Sequence, residues 1–197
     1  KETLKLLPLI EQLDAIVRLP LVDIALSALR ALTDAQYHQF KQNIVELVEA
    51  DHTIDLFEWS LQRILLHDLE AQRFNATPGR VRYRKLHRLL PHYELLLSTL
   101  AYTGHRDEAA AREAFEQAKR LVALPQARFR QGEECGLEAV DAALTVLEEA
   151  APRVKRQVLQ AAAACIAADR KVTIAEAELL RAISASLGCP MPPLLSM

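Results

Sequence analysis

The chain has 197 residues, 51% of them hydrophobic and 25% charged, with 24 basic against 26 acidic side chains for a net charge of −2. That apolar fraction with so small a net charge excludes a disordered chain, and 5 glycines with 9 prolines exclude collagen-like or linker-like sequence. A sequence pI of about 6.3 argues against a dedicated nucleic-acid binder, for which a basic domain is expected.

Apolar residues recur at three- and four-residue spacing, the helical period, and predict helices over 2–18, 21–31, 34–50, 56–72, 86–103, 107–123, 136–150, 153–168 and 174–187. Pro20 and Pro152 suit first-turn positions. Thr33 with Gln36 reads as a capping box, and Gly104 and Gly188 suit helix ends. Pro8 and Pro91, inside helical patterns, should kink their helices or shift their starts. The expectation is an all-α fold of about nine helices forming one compact domain over 1–197, with sub-units of about 1–72 and 86–197 joined by a loop at 73–85. The uncharged stretches Leu95–Gly104 and Gln157–Ala168 fall short of the roughly 18 apolar residues of a membrane span. Cys135, Cys165 and Cys189 are widely spaced, without a C-x-x-C pair, and fit a reducing compartment rather than a disulfide framework or a zinc knuckle. The chain begins at Lys1 and its two methionines, Met191 and Met197, stand near the other end; it is expected to be a piece of a longer protein.

An internal repeat is the most informative pattern. Residues 48–58 (VEADHTIDLFE) lie over residues 166–176 (IAADRKVTIAE) at a constant offset of 118, so that Asp51 meets Asp169, Glu58 meets Glu176, and farther on Leu61 and Arg63 meet Leu179 and Arg181. Each copy reads as helix, acidic turn, helix, which predicts two hairpins packed about a pseudo-twofold. Asp51, Asp55 and Glu58 in one copy, with Asp169 and Glu176 in the other, gather oxygen ligands suited to a hard cation such as calcium. The same residues also read as structure. Asp55 and Thr173 occupy N-cap positions with Glu58 and Glu176 three residues on, as D-x-x-E and T-x-x-E capping boxes. Ile54 and Val172, facing Trp59 and Ala177, suit staple positions. Neither copy has the ligand series or central glycine of an EF-hand.

The doubled D-x-x-[IV]-x-x-x-E turn resembles the tellurite-resistance TerB-like fold. The longer strings Leu19–Arg30 (LPLVDIALSALR), Glu49–Glu58 (EADHTIDLFE), Ala167–Ile183 (AADRKVTIAEAELLRAI) and Cys189–Pro193 (CPMPP) resemble the C-terminal region of bacterial membrane zinc metallopeptidases of family forty-eight, relatives of HtpX and the CAAX prenyl endopeptidase. The resemblance implies a non-catalytic interaction or regulatory domain. Zinc and catalysis would lie in a part of the protein outside this chain, and the whole would sit at the cytoplasmic face of the bacterial inner membrane. No cofactor is expected in the fragment itself, because His38, His52, His67, His87, His92 and His105 never form the i, i+4 pair of H-E-x-x-H. TerB-like turns commonly carry Gly after the Asp, where this chain has His52 and Arg170. The alternative is a stand-alone TerB-like metal-sensing or adaptor domain.

Between Ala71 and Tyr93 there is no acidic residue, while Arg73, Arg80, Arg82, Arg84, Lys85 and Arg88 accumulate. Such a patch could dock anionic lipid headgroups, the parent catalytic domain or an acidic protein partner, or be a solvated loop paired with nearby acidic helices. Cys135, beside Glu133 and Glu134, is a poor nucleophile, since neighbouring negative charge raises a thiol pKa. Cys165 reads as a small core residue.

Overall fold

The computed structural model describes residues 2–14, 17–49, 55–73, 81–189 and 191. Among these residues it is all-helical: α1 Glu2–Glu11, α2 Arg18–Leu29, α3 Asp34–Glu49, α4 Leu56–Arg73, α5 Leu90–Gly104, α6 Glu108–Leu121, α7 Leu137–Glu148, α8 Pro152–Ile166 and α9 Ile174–Ser186. No described helix is long and apolar enough to cross a membrane.

Most helix borders follow from the sequence. Thr33 and Gln36 make a reciprocal box, with the Thr33 amide donating to Gln36 Oε1 at 2.9 Å and the Gln36 amide to Thr33 Oγ1 at 3.4 Å. Pro152 opens α8, and Gly188 follows α9 at φ +65°, a conformation that glycine adopts without a Cβ clash. Pro91 shifts a start rather than kinking a helix: residues Leu86–Leu89 form a 3-10 turn, and Pro91 then stands in the first turn of α5. The first helix is shorter than its apolar period suggests, ending at Glu11 instead of 18. Pro20, which needs no amide partner in a first turn, lets α2 begin at Arg18, so the chain leaves the helix before it.

The 118-residue offset reaches farther than the two hairpins. Carried forward, α2, α3 and α4 become 136–147, 152–167 and 174–191, against observed α7, α8 and α9 at 137–148, 152–166 and 174–186. The repeat is therefore three helices long, and α4 and α9 form the most extensive helix contact. Asp55, at the start of α4, acts electrostatically on Glu178 near the start of α9, and Arg63 farther along reaches Ser186 at the end of α9. The two helices thus run side by side in one direction, with Asp55 and Thr173, the residues that open them, at one end of the pair.

Helices α5 and α6 break the symmetry. α5 packs on α6, α7, α8 and α9, burying Leu96, Leu97, Leu100 and Ala101, and α6 lays Ala111, Ala114, Phe115 and Ala118 against the same half. The irregular segment after α6 is fastened to α5 by Glu94, whose buried carboxylate accepts from the Arg128 amide at 2.9 Å and Arg130 Nη2 at 2.7 Å, and by Ser98 Oγ, which accepts from the Arg130 amide. Cys165 is fully buried against this layer, and its burial together with the Glu176 charge pushes the thiol up to about 12. Burial is also the first cause raising the Cys135 thiol, with Glu134 adding to it.

Candidate functional site

Both acidic turns adopt capping geometry. At α4 the Glu58 amide donates to Asp55 Oδ1 at 2.8 Å and the Asp55 amide to Glu58 Oε2 at 3.1 Å. At α9 the Glu176 amide donates to Thr173 Oγ1 at 3.2 Å, while the Thr173 amide and hydroxyl both donate to Glu176 Oε2 at 2.8 Å. Each box satisfies amides that the first turn of a helix leaves without partners. Asp169 accepts from the Lys171 amide at 2.9 Å, closing the turn before α9. Val172 is 48% exposed, so the staple adds little there. Asp51 and Ile54 lie outside the described residues. Among the described residues no three His, Cys, Asp and Glu side chains form a group that could hold a metal ion.

The capping and metal readings predict different melts. We expect Glu58→Gln to be tolerated, since an amide oxygen still accepts from Asp55, and Glu58→Ala to lose about 1 kcal/mol. Saturating calcium should leave the wild-type Tm unchanged. A calcium-dependent rise abolished by Glu58→Gln would establish a cation site instead.

Arg170, the residue after Asp169 in the second acidic turn, stands at φ +62°. A side chain there crowds the following carbonyl oxygen, a strain glycine lacks. Arg170→Gly is therefore expected to raise stability by about 1 kcal/mol in urea denaturation.

The second half of the repeat places charges across the molecule. Arg63 on α4 donates to Asp141 on α7 and, at 2.7 Å, to Ser186 Oγ on α9; Arg181 on α9 donates to Asp23 on α2. Arg181 is Arg63 plus 118 and Asp141 is Asp23 plus 118, so the two ion pairs are equivalents with partners exchanged between the repeats. Such reciprocity is what a twofold relation imposes on an interface.

Beside the Arg63–Asp141 pair, α4 and α7 leave an open groove of about 620 Å³. Trp59, Leu66 and Leu137 supply apolar lining, and Glu70, Glu138 and Glu148 join Asp141 as carboxylates. His67 Nε2 stands 3.5 Å from Glu148 Oε1 across the groove. Burial alone would raise the Glu70 carboxyl, but hydrogen bonds from Lys41 Nζ and the Tyr37 hydroxyl hold it below its ordinary value, so it stays ionised.

The basic segment is divided. Arg73 closes α4, and Arg80 lies outside the described residues. Arg82 pairs with Glu149 at 3.1 Å, and Tyr83 is pinned to the α7–α8 junction: its carbonyl accepts from the Ala151 amide at 2.8 Å, while the Arg82 amide donates to the Glu149 carbonyl at 2.9 Å. Arg84, Lys85 and Arg88 are exposed beyond this anchor.

No protein-family model, curated protein or solved structure matches the chain. Sequence reasoning missed the α4–α7 groove and both cross-repeat ion pairs. The offset that matched Arg63 with Arg181, carried back to α2, would have matched Asp23 with Asp141. Nothing local in the sequence marks Glu138 or Glu148 as neighbours of Trp59.

Proposed function

We propose that the chain is a non-catalytic interaction and regulatory domain, the TerB-like C-terminal region of a membrane zinc metalloendopeptidase whose zinc and catalytic chemistry reside elsewhere in the protein. The motif strings support the parentage, and the unequal covering of the two repeats supports the role. On α8, Val158 and Cys165 are buried under α5 and α6; their equivalents on α3 are Phe40, only partly buried, and Leu47, 73% exposed. Of the twelve large hydrophobic side chains exposed among the described residues, eight lie between Leu6 and Leu47, on α1 to α3 or between α1 and α2. Large apolar side chains left exposed over one part of a domain are characteristic of an interface with another protein component. In this reading that side meets the parent catalytic domain or a protein partner, and Arg84, Lys85 and Arg88 face anionic headgroups at the cytoplasmic membrane surface.

The reading frame upstream of the Lys1 codon tests the proposal. H-E-x-x-H flanked by apolar spans of bilayer length supports it. An initiation codon directly before Lys1 overturns the parentage and leaves the stand-alone adaptor.

A further inference from the structure

We infer that the groove between α4 and α7 receives the apolar face of an amphipathic helix from a protein partner, a face flanked by lysine or arginine. This rests on the interaction reading above and gives that partner a chemistry. Trp59, 6% exposed, and the partly buried Leu66 and Leu137 form an apolar strip open to one side. Four carboxylates stand along it: Glu70, Glu138, Asp141 and Glu148. Against them the lining offers one permanent cation, Arg63, already committed to Asp141 and Ser186, and His67, which faces Glu148. With Lys41 paired to Glu70 at 2.5 Å and Arg63 to Asp141, the exposed Glu138 and Glu148 are the carboxylates of the lining that no lysine or arginine meets among the described residues.

An apolar strip edged with carboxylates complements a helix that presents leucine-like side chains flanked by lysine or arginine. It repels an acidic helix. It fits a partner surface better than a small molecule, because its carboxylates are spread over both helices, Glu70 on α4 and Glu138, Asp141 and Glu148 on α7, rather than converging on one point. The exposed side chains of Glu138 and Glu148 stand one residue short of three helical turns apart on α7, so cations spaced along a helix would meet them in succession.

Trp59 is the single tryptophan, so its emission reports the groove directly. The probe is a synthetic amphipathic helix of leucine and lysine, with a leucine–glutamate counterpart. We expect the lysine peptide to change the intensity of Trp59 emission in a saturable titration and to bind more weakly as salt rises. The double substitution Glu138→Lys, Glu148→Lys should weaken binding by about tenfold or more, and Glu138→Gln with Glu148→Gln should weaken it by less, in the same direction. Glu108→Lys with Glu113→Lys, an equal charge change on α6, should alter it by less than about twofold. Circular-dichroism melts establish that each variant is folded.

Any of four results overturns the inference: no emission change, equal binding of the glutamate peptide, equal loss in the α6 control, or self-association of the wild type with the same change in emission, which would make a second copy the occupant. Failure here would leave the reading-frame test of the parent peptidase untouched.

Discussion

Asp23→Asn is expected to lower stability by about 2–3 kcal/mol, and Asp141→Asn by about 1 kcal/mol or less, although the two aspartates are equivalents in the repeat. The difference is one of burial. The Arg181 side chain is 9% exposed and its Asp23 partner 32%, whereas Arg63 is 17% exposed and Asp141 48%. Burial already pushes the Arg181 guanidinium below its ordinary pKa, and its Nη1 makes no hydrogen bond among the described residues. Removing the Asp23 charge leaves a poorly hydrated cation without the carboxylate it pairs with among the described residues, the costly way to break a buried pair. Arg63 loses less, because Ser186 Oγ still accepts from it at 2.7 Å and solvent reaches Asp141. Urea denaturation with unchanged m-values would measure both. Equal losses would show that repeat position, rather than local burial, governs these pairs.

That asymmetry follows from the way the duplicated unit is completed. The second repeat is packed beneath α5 and α6, which bury Val154, Val158, Ala161 and Cys165 on α8; the corresponding α3 residues are Gln36, Phe40, Asn43 and Leu47, two of them polar. Equivalent faces of the repeat are thus core in one half and surface in the other. Where the surface keeps large apolar side chains, it is a candidate interface, and its polar substitutions limit how much of it can remain exposed without aggregation.

The helices were legible because their apolar residues keep the 3.6-residue period, and their starts because T-x-x-Q, D-x-x-E and T-x-x-E place a side-chain acceptor three residues from its donor. Such signals are local, and the geometry at Thr33, Asp55 and Thr173 matches them. The end of α1 was not legible: Leu13, Ile16 and Val17 continue the period beyond the point where α2 needs a fresh start at Arg18. Glu94 was hidden for the opposite reason. Within PHYELLLSTLA an acidic residue reads as a solvent-facing position, yet Glu94 is 4% exposed because a loop more than 30 residues away supplies its donors. The acidic residues of the turns were visible as a cluster, but one cluster pattern serves capping and cation binding alike. Only the reciprocal hydrogen bonds distinguish the capping arrangement. For the groove, the sequence held the ingredients without the register, since α4 and α7 are brought together by packing and not by proximity in the chain.

Gly104→Ala decides between a local rule and a tertiary one, because the two predict opposite signs. Gly104 is the last residue of α5. By helix propensity alone, alanine in place of glycine favours the folded state by up to about 1 kcal/mol. In the fold, however, a Cβ at Gly104 would stand 1.9 Å from Glu176 Oε1, 2.5 Å from its Cδ and 3.1 Å from its Cγ. A carboxylate end can usually swing away, but this one is 1% exposed and its other oxygen accepts from both the amide and the hydroxyl of Thr173. Moving it opens the α9 capping box inside the protein; leaving it forces α5 away from α9. We expect a net loss of about 2 kcal/mol, within the range for overpacking a close contact. The double-mutant cycle with Glu176→Ala isolates the cause. Glu176→Ala alone should be destabilising through the lost cap, and in that background Gly104→Ala should become neutral or stabilising, because the atoms it would strike are gone. If Gly104→Ala stabilises the wild type, helix propensity prevails and the close approach of Glu176 to α5 is not a constraint. If the loss persists without the Glu176 side chain, the constraint lies in the backbone at the end of α5 and not in the buried cap.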